Sequence, residues 1–134
     1  MNLIISNYKK DQLYMALADY NFFKQKKFVL RFDEGEKILY LADKFLKEHK
    51  VVPSDITGLV IYQGEGTFTS LRLLAVFVNA WAYALKIPIY NLSKKQFKDL
   101  KKTLKNIKRI KSVKAINPAY KSAPTITKPK KKLC

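Results

Sequence analysis

The spacing of apolar positions switches along the chain between a period of two and a period of three to four, and each switch predicts a new element. Leu3–Ser6 reads as a short strand, and Asn7 through Asp11 carries turn residues. Leu13, Met15 and Leu17 then alternate with Tyr14, Ala16 and Ala18, the period of a second strand. Lys27–Phe32 alternates again, with Phe28, Leu30 and Phe32 on one face. Asp33 and Glu36 have the form of a capping box, and Ile38, Leu41, Ala42, Phe45 and Leu46 follow at helical spacing. This helix is spent by His49, and Pro53-Ser54-Asp55 makes a turn. Leu59–Tyr62 is continuously apolar, as expected of a central parallel strand covered on both faces. A second helix opens at Thr67 or Thr69 and runs to about Lys86, and Ile87–Leu92 makes a fifth strand. Ser93 and Gln96 form another capping box, and Phe97, Leu100, Leu104, Ile107 and Ile110 predict an amphipathic third helix over 94–116. The remainder, 117–134, has no periodicity and reads as a tail.

The order is βββαβαβα. Right-handed crossovers carry the first helix from the third strand to the fourth and the second from the fourth to the fifth, so both lie on one face. The expected sheet is mixed and five-stranded, ordered 3-2-1-4-5, with the third helix or a partner over the other face. This is an α/β chain with the topology of a single ribonuclease H-like (ASKHA) lobe over 1–93.

Charge divides the chain at the same place. The formal net charge is +17, but residues 1–93 hold 12 Lys and Arg against 9 Asp and Glu. Residues 94–134 hold 15 against one acid, Asp99. An ordinary globular chain is joined to a basic extension. Lysine is the default residue of a solvated helix face, yet this excess has the electrostatic footprint of a nucleic-acid contact, with an acidic protein surface as the competitor. Its candidates are Lys101, Lys102, Lys105, Lys108, Arg109, Lys130, Lys131 and Lys132. The contact expected is a weak one to nucleic-acid phosphates, since Tyr120 is the only aromatic beyond Phe97 and offers little for stacking.

Chemistry finds few candidates. The single cysteine, Cys134, has no partner, and no Cys/His cluster has metal-ligand spacing. His49 is the only histidine and sits between Glu48 and Lys50, where solvation is the expectation. Asp33, Glu34 and Glu36 are explained by a helix N-terminus. No catalytic residue, metal or cofactor is expected. The apolar run Leu71–Leu85 is interrupted by Arg72 and Asn79 and is too short for a membrane span of about 20 residues. A cytoplasmic protein without a membrane segment is the expectation.

The most specific stretch is 62–93. Gly64, Gly66, Thr67, Phe68, Thr69, Leu71 and Arg72 make a G-x-G-[ST]-F-T-x-L-R turn, followed by an apolar helix, Ile87-Pro88 and Ser93. This resembles the signature of the TsaB (YeaZ) family. Ser6-Asn7-Tyr8 stands where that family usually has Asp-Thr-Ser, Leu74 stands in place of a glycine, and most of the family's second lobe has no counterpart before the tail. The resemblance implies a non-catalytic scaffold of tRNA threonylcarbamoyladenosine synthesis. It would pair with a TsaD-like catalytic subunit, joined by a TsaE-like ATPase. A homodimer of the chain by itself is left open. The alternatives are a stand-alone basic RNA-binding protein of the same fold and, more weakly, a small nucleotide-binding ATPase.

The glycine turn itself has two readings, an anion site at a helix N-terminus or a tight connection. Glu65 in its middle favours the tight connection. The second helix carries apolar residues on every side, which demands burial on every side. The resemblance implies that the interface with the catalytic subunit is built from the first and second helices, with Leu71, Arg72, Leu73, Val76, Phe77, Ala80 and Tyr83 as its candidates.

Overall fold

The computed structural model describes residues 1–30, 36–65 and 68–118, without the Phe68 side chain. Strands β1 (Asn2–Lys9), β2 (Gln12–Asp19) and β3 (Phe22–Val29) form an antiparallel meander. Helix α1 (Lys37–Glu48) leads to β4 (Gly58–Tyr62), and helix α2 (Phe68–Leu85) leads to β5 (Ile89–Asn91). Two short helices follow, α3 (Lys94–Lys98) and α4 (Leu100–Lys105), then a 3-10 turn at Ile107–Arg109. The sheet is ordered β3-β2-β1-β4-β5, with β4 parallel to both β1 and β5. The expected topology is the observed one.

The strand limits differ. The second hairpin turns on Tyr20 and Asn21, since Asp19 faces Phe22, so β3 (Phe22–Val29) begins five residues before the predicted start at Lys27. Residues 31 and 32 of the predicted strand lie outside the described residues. The first hairpin turns on Lys10 and Asp11, and Asp11 takes a left-handed φ of 62°. β1 continues through Asn7 and Tyr8, with a bulge between Ser6 and Lys9. A bulge inserts one unpaired residue and re-aims its neighbours; here it falls on the Ser6-Asn7-Tyr8 segment. The capping box assigned to Asp33 lies mostly outside the described residues.

Alternation divides the strands between two cores. Leu3, Ile5, Leu13, Met15, Leu17, Leu59 and Ile61 face α1 and α2, where Ile38, Ala42, Phe45, Leu46, Leu74 and Val78 meet them in full burial or nearly so. Phe45 is wholly buried and lies edge-on to Phe28 and His49. Ile4, Tyr14, Ala16, Ala18, Val60 and Tyr62 face the other way, under Phe97, Leu100, Leu104, Ile107 and Ile110. The predicted stripe therefore packs on the sheet as its spacing requires.

The continuous helix over 94–116 does not form. Asp99, at φ −112° and ψ 51°, ends α3 and opens α4. Thr103 Oγ1 ties the two together by donating to the Gln96 carbonyl at 2.9 Å. The breaks let one apolar stripe follow a twisted surface that a straight helix would touch only locally. Beyond the 3-10 turn the chain runs extended, and Val113 pairs with Ile89 on the open edge of β5. Asn79 then acts as a clamp from within α2, accepting from the Ile116 N–H at 2.8 Å and donating to its carbonyl at 2.9 Å. Gln63 donates to the Asn117 carbonyl at 2.9 Å.

Candidate functional site

Two surfaces of this lobe carry the residues expected to meet a partner or nucleic acid, and one junction between strands lies beside the glycine turn. The junction is the end of β1 against the start of the glycine turn. Ser6 Oγ donates to the Tyr62 carbonyl at 2.6 Å, and the Gly64 N–H donates to Asn7 Oδ1 at 3.2 Å. A Cβ on Gly64 would stand 2.5 Å from the Tyr8 Cα and 2.8 Å from the Asn7 carbonyl oxygen. Gly64 is required because two backbones touch there, and its N–H is already committed. The tight-connection reading of the turn holds at this position; Gly66 and Thr67 lie outside the described residues, and Thr69 is exposed in the first turn of α2.

The first surface is the outer side of α2. Arg72, Val76, Ala80 and Tyr83 follow at spacings of four, four and three and are exposed, Val76 by 60% and Tyr83 by 87%. Leu73 is half-buried. Leu71 and Phe77, expected at the interface, instead belong to the domain's own core at 2% and 7% exposure. Phe77 also packs on Trp81, with ring centroids 5.0 Å apart. They turn inward because α2 packs against both the sheet and α1, its neighbour on the same face. The same layer exposes Leu39 and Tyr40 on α1.

The second surface is the opposite face of the sheet, where α3 and α4 cover only part of β2 and β3. Lys101, Lys102, Lys105, Lys108 and Arg109 are all exposed there, whereas Lys130, Lys131 and Lys132 lie outside the described residues. Sequence reading missed the rings beside them. Tyr8, Tyr14 and Phe97 cluster with centroids 5.5–6.2 Å apart, and Tyr62 stacks on Phe97 at 4.8 Å. Tyr14 donates to Gln25 Oε1 at 2.7 Å, and burial, with Tyr8 adding to it, pushes its phenol up to about 12. It stays neutral and a donor at physiological pH. The available signal was Phe22-Phe23 beside Lys24, Lys26 and Lys27 on an edge strand.

His49 is half-buried and edge-on to Phe45 at 4.9 Å, so it packs rather than being fully solvated. Among the described residues no group of three His, Cys, Asp or Glu could hold a metal ion, and no helix is long and apolar enough to cross a membrane.

A mixed sheet in this order, with two crossover helices on one face, is a lobe of the ribonuclease H-like (ASKHA) class. The family model for tRNA N6-adenosine threonylcarbamoyltransferase (TsaD) matches residues 34–107, more than half of the chain, and the chain belongs to that family. Its fold is that of YeaZ. The structure of YeaZ from Pseudomonas aeruginosa gives a TM-score of 0.64 at 19% identity, covering 78% of this chain and 49% of that one. A second structure is titled as an uncharacterized protein with similarity to peptidase YEAZ from Pseudomonas aeruginosa. It gives 0.61 at 22% identity, covering 69% of this chain and 42% of that one. The chain spans about half the length of the solved structures it matches. A comparison with curated proteins gives no match.

Proposed function

We propose that the chain is a non-catalytic scaffold in the synthesis of threonylcarbamoyladenosine on tRNA, docking the outer stripe of α2 on a TsaD-like catalytic subunit. The observation that carries this reading is the stripe Arg72, Val76, Ala80 and Tyr83, exposed along an 18-residue helix. The inner arc of the helix serves the core, and an apolar stripe left on its solvent side supports a contact with another protein. Membership of a tRNA-modifying family supports the nature of the partner. In this reading a TsaE-like ATPase joins the assembly in the cytoplasm, and tRNA meets the basic extension.

The non-catalytic assignment rests on the junction of β1 with the glycine turn. Asn7 spends its amide oxygen on the Gly64 N–H, and the backbone of Asn7 and Tyr8 fills the space beside that glycine. A phosphate approaching Gly64 would have to displace protein. The test is reconstitution with the native TsaD-like subunit. Formation of threonylcarbamoyladenosine should require both proteins, and calorimetry of the chain alone with ATP and magnesium should show no binding. Transfer by the chain alone would establish the catalytic reading that the family's name carries. Tight ATP binding would establish the ATPase.

A further inference from the structure

The thinly covered sheet face holds a feature that docking through α2 leaves unused. Two hollows, of about 510 and 740 Å³, share Phe23 and Lys101 as common walls. The smaller is lined by Tyr8, Tyr14 and Phe97 with Lys27 and Lys98; the larger runs on past Tyr20, Phe22 and Lys105. Together they form a trough along β2 and β3 beneath α4. Its origin is in the sequence: Ala18, in the wall of the larger hollow, puts a small side chain on this face opposite Phe23 of the edge strand. A large residue there would have filled the space.

The lining combines two chemistries. Lys101 Nζ lies 5.2 Å from the Phe23 ring centroid, and the Nζ atoms of Lys9 and Lys27 each lie 5.8 Å from the Tyr8 centroid. These separations approach the outer limit of about 6 Å for attraction by a ring, so the ammonium groups rest loosely on surfaces they can vacate. Four lysines line the trough, against Asp19 and Asp99. Tyr8 and Phe23 are half-buried and Tyr20 is 95% exposed. Such rings offer flat faces to a visitor while Tyr14 and Phe97 form the floor.

We infer that this trough binds a single-stranded segment of RNA, its bases stacked on Tyr8, Tyr20 and Phe23 and its phosphates held by Lys27, Lys98, Lys101 and Lys105. Planar rings beside mobile cations match the alternation of base and phosphate along a single strand. A duplex hides its base faces, and an acidic peptide would engage the lysines but leave the rings idle. β2 is eight residues long, about 27 Å at strand rise, room for several nucleotides. Contacts of this kind tolerate any sequence, because every base presents a flat face. The stacking thus comes from β1, β3 and the hairpin turn at Tyr20 rather than from the extension, where only phosphate contacts were expected. The site does not depend on the docking of a catalytic subunit; only the choice of RNA among nucleic acids rests on the proposed function.

The test uses the full chain and a labelled single-stranded RNA of about 12 nucleotides, within the span such grooves accept. Anisotropy is read from about 50 to 200 mM salt. Tyr20→Ala with Phe23→Leu should weaken binding about tenfold or more while leaving the salt slope unchanged. Lys27→Gln with Lys101→Gln should instead lower that slope by about 1.4, from two lost phosphate contacts. Replacing Lys130, Lys131 and Lys132 by Gln should leave the effect of the ring variants intact. Circular dichroism confirms the fold of each variant, and Tyr20→Ala alone, at a fully solvated side chain, serves where Phe23→Leu unfolds. Ring variants that bind as the parent does would overturn the assignment. So would equal affinity for the duplex form of the same RNA or for polyglutamate. None of these outcomes bears on co-purification with a TsaD-like subunit, so the two readings fail separately.

Discussion

The two faces of the sheet use the same strands and come out differently. Toward α1 and α2, the odd-numbered residues of β1 and β2 meet helices of 12 and 18 residues, and the side chains between them are almost wholly excluded from water. Toward α3 and α4, the even-numbered residues meet helices of five and six residues that contribute no fully buried side chain. Burial of apolar area stabilises by about 25 cal/mol per Å², so the first face holds the fold and the second adds less. What the second face gives up in packing it keeps as surface: rings and lysines that water and ligands can reach. The outer side of α2 shows the complementary case, a helix whose inner arc is committed to the core and whose outer arc remains apolar.

This contrast is broken most directly by truncating one aromatic on each face. Phe45→Ala should cost about 3–5 kcal/mol, because it removes a wholly buried ring and leaves a cavity against Phe28 and His49. Phe97→Ala removes a ring of the same size from a half-buried position and should cost about 2 kcal/mol. Urea midpoints at constant slope measure both. Equal losses would mean that α3 and α4 are integral to the core.

The topology was legible because its signal is local: period two, then three to four, then a continuous apolar run for the buried parallel strand Leu59–Tyr62. The limits of β3 were not, since the turn at Tyr20-Asn21 lacks the glycine that usually marks a two-residue hairpin. The third helix was read correctly as a stripe and wrongly as a single rod, because spacing reports which residues face the sheet and is blind to a break at Asp99. On α2, four of the seven residues expected at the interface are exposed and two are core. Periodicity alone could not divide a helix that is apolar on every side. Asn79 appeared only as an interruption of an apolar run, because its partner is a backbone 37 residues away. The trough was illegible for the same reason: Tyr8, Tyr14 and Phe23 come from three strands and Phe97 from a helix.

Smaller changes sharpen the comparison. Ser93 Oγ accepts from the Gln96 N–H at 3.2 Å, and Gln96 Oε1 accepts from the Ser93 N–H at 2.8 Å, so the predicted capping box is formed. Ser93→Ala should cost about 1 kcal/mol and should loosen α3 before any part of the first face. Hydrogen exchange would show amides of 94–98 losing protection while those of α1 keep theirs. If α1 and α3 lose protection together, the two faces form one cooperative unit.

The smallest effect concerns Glu48, which joins β3 to α1 through Lys26 at 3.0 Å. The hydrogen bond from Lys26, with the nearby charges of Lys26, His49 and Lys44, holds its carboxyl below the usual carboxylate range. A group with a depressed folded pKa contributes stability above its unfolded pKa and loses it as pH falls through the folded value. The parent should therefore lose slightly more stability than Lys26→Ala on acidification through the carboxylate range. Exposure of the pair keeps this difference below that of Ser93→Ala. Parallel pH profiles for the two proteins would show the pair to be without effect.

The proposed docking of α2 is tested most directly by titrating the native TsaD-like subunit with the parent chain and with Val76→Glu or Tyr83→Ala. Both side chains are exposed in the free chain, so both variants should fold as the parent does. Tyr83→Ala should weaken the complex by about 2 kcal/mol, as loss of a central aromatic does. Val76→Glu should weaken it by about 3 kcal/mol or more, because the contact would bury an unpaired charge. Folded variants that bind the TsaD-like subunit with the parent's affinity, or a parent chain that pairs only with itself, would contradict the account.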